Sequence, residues 1–554
     1  MFDELFVQGL ATIQRDLRVT VVVGFLLKIV LTRVITSIKS NVALRRSGDG
    51  KTPPIMPSQF GPNVPVRIRV LNMKVHFITG SESILAIFRG SRDLKTAPAS
   101  ILALENAFGS PVSTRHAYGR DNTGIFTQPL QGTNPLEPHN RVFNLTHKTL
   151  HSHLSGTGLN ELATRFLSCL EIELLSLDIG HEEWTAIPDF YTLIKKTVFK
   201  ASTTAMCGPN LFSLNPDFTD DFWEFDTHIG KLFKNLPRWM IPKSFQVRDK
   251  LITSITKWHA YAEENFDKND EALQNGEWEE LYGARLMRQR HEDFTGIDDF
   301  NDEAYAASDL GMIWGANANI VPIIGWSIID TLVRPELLIQ ARKEIASLSS
   351  SSGKGAEDLN MPKLLASPLL QSIYSEELRL RNGVMIQRVP LVDNFKVGDW
   401  KLPKGDMIIA SSWHEQRDKA VWNEGPVNGE FHSVEDFWAE RFLVYPNDPN
   451  SGPAKPGRDT KPKPKLAVKD SDNVPKYTTD FVTGSYIPYG GGQKICPGRF
   501  YAKQEAIGAM SLILSMFDIE LKNNDLPQPD MDYFPYGVVP PLGPFPARMR
   551  RRKM

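Results

Sequence analysis

The most informative residues of this 554-residue chain surround a cysteine near its C-terminal end. The segment from Tyr486 to Leu514 reads YIPYGGGQKICPGRFYAKQEAIGAMSLIL, so three glycines precede Cys496 and a long apolar helical pattern follows it. Glycine adopts positive φ and lets the backbone approach a flat ligand closely, and backbone amides at a helix start stabilise a thiolate. We expect a tight loop folded against a macrocycle, with Cys496 as a thiolate ligand of its iron. A buried structural cysteine in a glycine-rich turn is the alternative.

The other two cysteines, Cys169 and Cys207, occur in or beside helical patterns. An odd count of three in a long chain does not make a disulfide framework, and it fits a reducing compartment. We interpret both as buried thiols without a chemical role.

Charge and composition argue against a nucleic-acid partner. The chain has 63 Lys and Arg against 65 Asp and Glu, a net charge of −2, so no overall field attracts nucleic acid. Hydrophobic residues make up 41%, which is enough for a large core. Length by itself favours more than one domain.

An apolar run near the N-terminus predicts a membrane anchor. Val19 to Ile38 reads VTVVVGFLLKIVLTRVITSI, close to the roughly 20 residues that cross a bilayer. Lys28 near its middle costs about 2.5 to 3.5 kcal/mol on insertion scales, so both a tilted span and an interfacial helix stay open. The basic residues Lys39, Arg45 and Arg46 follow, and this bias places the downstream body in the cytoplasm.

These observations divide the chain into regions. Residues 1–50 are the predicted anchor with its basic stop segment, and residues 51–65 contain five prolines and form a stiff spacer. Residues 66–554 are the predicted catalytic domain. Within it, residues 446–476 are rich in Pro, Lys and Asp with almost no apolar periodicity, which predicts a flexible surface insertion.

Two helical patterns and a few short strand patterns must position the cysteine loop. Asp302 to Glu336 is too hydrophobic all round for a surface helix, so we expect it to run through the core. A second helix is predicted from about Leu364 to Leu380. Strand-like pieces occur at 66–70, around Val384 to Val389, and from Phe395 to Ile409.

The cysteine loop resembles the cytochrome P450 family. The family motif has an aromatic residue, then Gly, a basic residue, Cys and Gly at fixed spacing, and Tyr489, Gly492, Lys494, Cys496 and Gly498 stand at those positions. Tyr489 replaces the usual Phe, and Lys494 the usual Arg or His. The resemblance implies that Cys496 binds haem iron, that Tyr489 packs beside the thiolate and that Lys494 faces a haem propionate.

Further motifs of the family occur in the expected order. Glu376 and Arg379 form Glu-x-x-Arg, three residues apart and so on one helical face. The later segment FWAERF contains Arg441, and the resemblance implies that these three side chains form a buried triad that braces the cysteine loop. It also implies that Arg388 faces a propionate.

The family usually supplies another propionate-binding cation from a helix in the first third of the chain, in a Trp-x-x-x-Arg pattern. This chain lacks the pattern, and Arg141 and Lys148 are the two candidates. Nearby histidines invite a metal-site reading, but no carboxylate accompanies them, so we interpret them as solvated helix residues. They are His139, His147, His151 and His153.

The central helix departs from the family pattern. Oxygen-activating members usually carry an acid and a threonine beside the iron, whereas this chain has Ala318 and Asn319, after Gly315 as the small residue that leaves room for substrate. Pro322 follows and should kink the helix. This arrangement resembles the branch of sterol 7α- and 12α-hydroxylases and prostacyclin synthase. The Asn319 carboxamide would hydrogen-bond an iron-bound oxygen or orient water; in the structural alternative it bridges the kinked backbone.

The resemblance implies a mainly α fold with a smaller β region after the anchor, and haem b as cofactor. It implies a monooxygenase that inserts oxygen from O2 into a hydrophobic terpenoid, sterol-like or polyketide molecule, with electrons from NADPH through NADPH–cytochrome P450 reductase at the endoplasmic reticulum membrane. We expect a role in secondary metabolite biosynthesis. The open alternatives are a reductase-independent peroxide isomerase or dehydratase and a non-catalytic haem sensor.

Overall fold

The computed structural model describes residues 64–70, 73–95, 99–350, 355–425, 430–458, 474–522 and 526–553. These residues belong to two compact units. The smaller unit contains the described residues up to 95 together with Ile386–Ala410, and the larger unit contains the rest. The predicted anchor at 1–50, nearly all of the spacer at 51–65 and residues 459–473 of the predicted insertion lie outside the described residues.

The smaller unit is built on a five-stranded sheet with the order β1-β2-β10-β7-β3. β1 and β2 pair antiparallel with Val66 opposite Phe77, and β2 and β10 pair parallel with Met407 opposite Val75. A separate hairpin joins β8 and β9. The elements are β1 (Val66–Val70), β2 (Met73–Ile78), α1 (Ser81–Arg89), β3 (Leu94–Lys95), β7 (Met385–Pro390), β8 (Phe395–Val397), β9 (Trp400–Leu402) and β10 (Met407–Ser411).

The larger unit is mostly helical. Its helices are α2 (Ala99–Phe108), α3 (Val112–Arg120), α4 (Val142–His153), α5 (Gly156–Leu175), α6 (Phe190–Cys207), α7 (Asn210–Leu214), α8 (Phe218–Phe233), α9 (Pro242–Asn265), α10 (Glu271–Asn275), α11 (Arg285–Thr295), α12 (Asp302–Asn317), α13 (Ile320–Leu332), α14 (Pro335–Leu348), α15 (Met361–Ala366), α16 (Pro368–Arg381), α17 (Ser412–Glu415) and α18 (Arg499–Met516). Its strands are β4 (Thr185–Ile187), β5 (Trp278–Glu279), β6 (Gly283–Ala284), β11 (Leu443–Val444), β12 (Lys476–Tyr477), β13 (Phe517–Leu521) and β14 (Ala547–Arg551).

The central hydrophobic pattern lies in the core of the larger unit. Every side chain of α13 from Ile320 to Thr331 is buried, and α6, α16 and α18 pack against this helix. Among the described residues, Asp302–Leu332 is the one stretch long and apolar enough to cross a membrane, but 72% of its most apolar window is buried inside the protein. It is therefore a core helix pair, as its all-round hydrophobicity indicates.

The central pattern forms two helices where the sequence predicted one. α12 ends at Asn317 and α13 begins at Ile320, with Ala318 and Asn319 between them. Pro322 has no N–H to donate to the carbonyl oxygen of Ala318, four residues earlier. The break therefore falls one turn before the proline, next to Asn319.

The predicted second helix is also divided. α15 ends at Ala366, and the side chain of Ser367 then caps α16 by accepting a hydrogen bond from the backbone N–H of Leu370 at 3.2 Å. Pro368 occupies the first turn of α16, where a missing N–H costs nothing. Ser-Pro therefore starts a new helix, and α16 carries both Glu376 and Arg379.

Candidate active site

Cys496 lies in a tight loop directly before α18. Its backbone N–H donates to the carbonyl oxygen of Tyr489 at 3.1 Å, and Gly490 and Gly492 have φ of 68° and 67°, a conformation that favours glycine. The following helix is buried from Glu505 to Leu514. Cys496 itself is exposed, so the loop presents a thiol to open space at the start of a core helix.

Opposing effects act on the pKa of the Cys496 thiol. Desolvation by the surrounding loop atoms raises its pKa above the ordinary value. The backbone amides of Gly498 and Arg499 and the charge of the Arg499 guanidinium lower it, which is the helix-start effect expected from the sequence, but they do not outweigh desolvation. A bound metal cation is what would make this sulfur a thiolate, because a coordinating thiol is deprotonated outright.

The other motif residues lie around the same loop. The hydroxyl groups of Tyr489 and Tyr374 share a short hydrogen bond, which ties the loop to α16. The Lys494 ammonium lies 5.9 Å from the centroid of the Phe143 ring on α4. A Cβ added at Gly498 would lie 3.8 Å from the Cys496 Sγ, so within the protein itself this position tolerates a side chain.

Glu376, Arg379 and Arg441 meet in the core with no exposed surface. The Glu376 carboxylate accepts from Arg379 Nε at 2.7 Å and Nη2 at 2.8 Å, and from Arg441 Nε at 2.9 Å. Burial raises the pKa of Glu376, but the two guanidinium charges outweigh it and bring the pKa down to about 2. The carboxylate is therefore ionised and fully paired.

A chain of hydrogen bonds joins this triad to the cysteine loop. Arg379 Nη1 donates to the carbonyl oxygen of Gln416 at 2.8 Å, and Gln416 Oε1 accepts from the backbone N–H of Ile487 at 3.2 Å. Asn382 Nδ2, just after α16, donates to the carbonyl oxygen of Pro488 at 2.9 Å. Sequence reasoning missed Gln416 and Asn382, because no motif marks an amide whose partner is more than 70 residues away.

The candidate propionate-binding cations differ in their surroundings. Arg141 is buried, and its guanidinium donates to Thr123 Oγ1 at 2.9 Å and to the carbonyl oxygens of Thr127 and Phe126 at 2.7 and 2.5 Å. It therefore holds the loop before α4. Lys148, in contrast, is exposed on α4. This exposure makes Lys148 the better candidate of the two.

Arg388 lies on β7 of the smaller unit. Its Nη1 donates to the carbonyl oxygen of Gln387 at 2.8 Å, and burial lowers the pKa of the guanidinium. Its role toward a propionate stays a prediction from the resemblance.

The central helix offers open space at one glycine. Gly315 is exposed, and apart from its chain neighbours and the backbone of its own helix no atom lies within 4 Å of the position that a Cβ would occupy there. Ala318 is only 1% exposed. Asn319 is half-buried, and its Oδ1 accepts a hydrogen bond from the backbone N–H of Val538 at 2.9 Å. Because Oδ1 is occupied by this bond, the Nδ2 group is the part of the Asn319 carboxamide that could act as a hydrogen-bond donor in the site.

These features fit a haem. An exposed thiol stands in a loop with two left-handed glycines, with backbone amides on its sulfur and a lysine beside it. An iron held in a flat macrocycle needs a soft ligand such as a thiolate, and a backbone that can approach the macrocycle closely. Among the described residues, no group of three or more His, Cys, Asp and Glu side chains that could hold a metal ion is found. Fold and site define a haem-thiolate protein.

Comparison with known proteins agrees with this class. The family model described as Cytochrome P450 matches residues 185–445. The chain is 34% identical to cytochrome P450 monooxygenase efuG of Hormonema carpetanum over 89% of this chain and 85% of that protein, and 33% identical to cytochrome P450 monooxygenase fsoE of Humicola fuscoatra over 94% and 91%. It is 24% identical to cholesterol 7-alpha-monooxygenase of Cricetulus griseus, over 74% of this chain and 76% of that protein. The chain belongs to the cytochrome P450 family and is a monooxygenase.

Proposed function

We propose that the enzyme inserts one oxygen atom from O2 into an uncharged apolar small molecule with a terpenoid, sterol-like or polyketide skeleton, in secondary metabolite biosynthesis. The observation that carries the proposal is Cys496, an exposed thiol at the start of a buried helix. The names of the similar proteins support it, since they are monooxygenases and one of them is named for cholesterol. The buried, apolar helix α13 packs against α18, the helix that follows Cys496, and apolar surroundings suit an apolar substrate.

In this proposal Cys496 holds the haem iron, and Lys494 and Lys148 bind the propionates. Gly492 lets the loop lie against the macrocycle, and Tyr489 packs beside the sulfur while Tyr374 holds its hydroxyl. When bound, the haem supplies the oxygen-activating chemistry, favoured by thiolate donation.

The triad acts on the site indirectly in this proposal. Glu376 keeps Arg379 and Arg441 in place. Gln416 is hydrogen-bonded both to Arg379 and to the backbone of Ile487, at the start of the cysteine loop. Each link is a hydrogen bond within the core, so a shift at Glu376 moves the loop backbone near Cys496.

We assign proton delivery to Asn319. Its Oδ1 is held by the Val538 amide, which aims the Nδ2 donor in one direction. A fixed carboxamide donor beside the reacting oxygen orients a water molecule for proton transfer. Ala318 contributes no polar atom, so this amide stands in for the usual acid and threonine.

We also propose that residues 1–50 anchor the enzyme in the endoplasmic reticulum membrane with the body in the cytosol. The support is the apolar run from Val19 to Ile38 and the basic residues after it. NADPH–cytochrome P450 reductase is the proposed electron donor. An anchor on the same membrane raises the encounter rate between two such partners.

The deciding experiment incubates membranes containing the enzyme and reductase with a panel of apolar skeletons under 18O2, with and without NADPH. We expect a product that carries one 18O atom and forms only with NADPH. A parallel incubation with hydroperoxides and no NADPH tests the alternative. Turnover of a hydroperoxide without reductase, and no 18O-labelled product from any skeleton, would replace the monooxygenase by an isomerase.

A further inference from the structure

A carboxylate outside the family motifs connects three elements of the larger unit. Asp226 Oδ1 on α8 accepts a hydrogen bond from Trp314 Nε1 on α12 at 2.8 Å and from the Tyr533 hydroxyl at 2.9 Å. Trp314 directly precedes Gly315, the exposed glycine of the central helix. Asp226 is therefore hydrogen-bonded to the residue next to that glycine on α12.

The carboxylate is desolvated and yet accessible. Surrounding protein atoms raise the pKa of Asp226 to about 6, although the Trp314 and Tyr533 hydrogen bonds and the Lys195 charge lower it. The residue nevertheless keeps accessible surface and is only half-buried. Asp226 is therefore a desolvated carboxylate that a ligand can still reach.

One oxygen of this carboxylate is available. Both hydrogen bonds end on Oδ1, and among the described residues no donor reaches Oδ2. Two hydrogen bonds hold Oδ1 in place, which restricts the positions that Oδ2 can take. An acceptor held in this way is ready for a donor on a ligand.

Aromatic rings cluster around Trp314, the residue whose indole N–H donates to Asp226. Trp314 lies 5.6 Å from Phe108 and 5.7 Å from Phe233 between ring centroids, and Phe233 stacks on Tyr536 at 5.4 Å. Phe108 covers Gly311, one helical turn before Gly315. Phe233, Trp314 and Tyr536 are all half-buried, so part of each ring remains accessible to a ligand.

The Tyr536 side chain is held against α8 at Gly230. Its hydroxyl donates to the carbonyl oxygen of Gly230 at 3.1 Å, and a Cβ added at Gly230 would lie 2.7 Å from the Tyr536 ring. Only glycine at this point of α8 lets the ring lie across the helix. The aromatic rings and Asp226 thus belong to one fixed arrangement.

We propose that Asp226 Oδ2 anchors a hydroxyl group of the substrate while the rings of Phe108, Phe233, Trp314 and Tyr536 hold its apolar skeleton. This inference rests on the proposed function and narrows its substrate class to hydroxylated apolar molecules. A reaction that installs a hydroxyl group on the skeleton must therefore come before this enzyme.

The charge balance favours an alcohol over an amine as the donor. Lys195 is the cation that acts on Asp226, and its Nζ lies 4.9 Å from the Trp223 ring and 5.9 Å from the Tyr191 ring. A second ammonium group beside Lys195 would add a like charge in a desolvated region. A neutral hydroxyl group donates to Oδ2 without that repulsion.

The test compares each hydrocarbon with its alcohol. Adamantane with 1-adamantanol, and 5α-androstane with 5α-androstan-3β-ol, are bound to the haem-containing full-length enzyme without NADPH and measured by equilibrium dialysis. We expect at least one alcohol to bind about ten-fold more tightly than its parent, a ratio typical of one charge-assisted hydrogen bond. Equal affinities within both pairs would overturn the proposal.

Variants separate anchoring from general damage. Asp226→Ala should abolish the preference for the alcohol, and Tyr533→Phe, which removes one of the two bonds that aim the carboxylate, should reduce it. If Asp226→Ala does not bind haem, Tyr533→Phe decides alone, and an unchanged preference there overturns the proposal. Asp309→Asn is the matched control, because Asp309 is a buried acid on α12 paired with His259 and Arg290.

The control should lower the unfolding temperature and keep the preference for the alcohol. Loss of the preference in Asp309→Asn to the same extent as in Asp226→Ala would show a general packing effect and overturn the anchor. An aminoadamantane that binds more tightly than 1-adamantanol would overturn the choice of an alcohol. Because no turnover is measured, these outcomes are independent of whether the 18O2 experiment supports a monooxygenase.

Discussion

Asn319 and Val538 are joined by a hydrogen bond across 219 residues of sequence, with Asn319 Oδ1 accepting from the Val538 backbone N–H at 2.9 Å. The contact lies at the break between α12 and α13. The residue before Val538 is Gly537, and a Cβ added there would lie 2.3 Å from Asn319 Oδ1, too close for a side chain. The side chain that replaces the usual threonine therefore also holds the C-terminal segment against the central helix.

Two substitutions at Asn319 separate these roles. Asn319→Ala leaves the Val538 amide without a partner and should cost about 1 to 3 kcal/mol of unfolding free energy, and it should raise peroxide release per product. Asn319→Asp keeps the acceptor and removes the Nδ2 donor, so it should retain stability but still release more peroxide. We also expect Asn319→Thr to preserve part of the coupling. Full coupling in Asn319→Asp would show that Nδ2 takes no part in proton delivery.

Cys496→Ala should abolish the thiolate-type absorption band of the reduced carbonyl complex, because alanine cannot coordinate iron. The matched controls are Cys169→Ala and Cys207→Ala. Cys207 is buried and Cys169 is half-buried within a helix, whereas Cys496 is exposed in a glycine-rich loop. A band that survives in Cys496→Ala would remove the ligand assignment.

Glu376→Ala should eliminate haem binding and soluble expression, since it leaves two buried guanidinium groups without their counter-charge at a cost of about 3 to 5 kcal/mol. Glu520→Ala is the control, because Glu520 and its partner Arg548 are both more than half exposed, and such pairs contribute little. Normal haem content in Glu376→Ala, with only a slower rate, would contradict the bracing role.

The lowered pKa of Glu376 makes the unfolding free energy depend on pH. Its folded value of about 2 lies below the ordinary value of 4.5, so its contribution is present above pH 4.5 and is lost as the pH falls toward 2. Acid titration of the unfolding free energy should show this loss. A flat profile through that window would mean that the triad is not ionised.

The pKa of Glu505 on α18 is shifted in the opposite direction to that of Glu376. Burial raises its pKa to about 8, although hydrogen bonds lower it, among them one from Ser202 Oγ at 2.7 Å. The folded state keeps a proton that the unfolded state releases, so stability falls as the pH rises from about 4.5 to 8. Glu505→Gln retains an acceptor for Ser202 and should be more stable at pH 7 by about 1 to 3 kcal/mol, with a flatter profile. A variant less stable than the parent at pH 7 would refute the buried neutral acid.

Removal of residues 1–50 should release much of the protein from membranes while haem stays bound, since the proposed anchor is the apolar run from Val19 to Ile38. Flotation with vesicles and the haem absorbance measure the two outcomes. Complete retention in the membrane fraction would point to a contact on the body, where Trp239 and Met240 are 79% and 51% exposed.

The cysteine loop and the helices beside it were readable from the sequence, because their signals are local. Glycines before Cys496 and a long apolar pattern after it predict the loop and α18, and Glu-x-x-Arg places Glu376 and Arg379 on one helical face. The all-round hydrophobicity of the central pattern predicted its place in the core. Family membership followed from spacing within about ten residues of Cys496.

What the sequence could not show depends on distant partners. Whether Arg141 is free for a propionate was decided by carbonyl oxygens in the loop at 126–127. The partners of Asp226 lie 88 and 307 residues away. A hydrogen bond carries no periodicity and no composition, so only folding, which brings α8, α12 and the C-terminal segment together, decides that this one acid becomes a fixed acceptor beside Gly315.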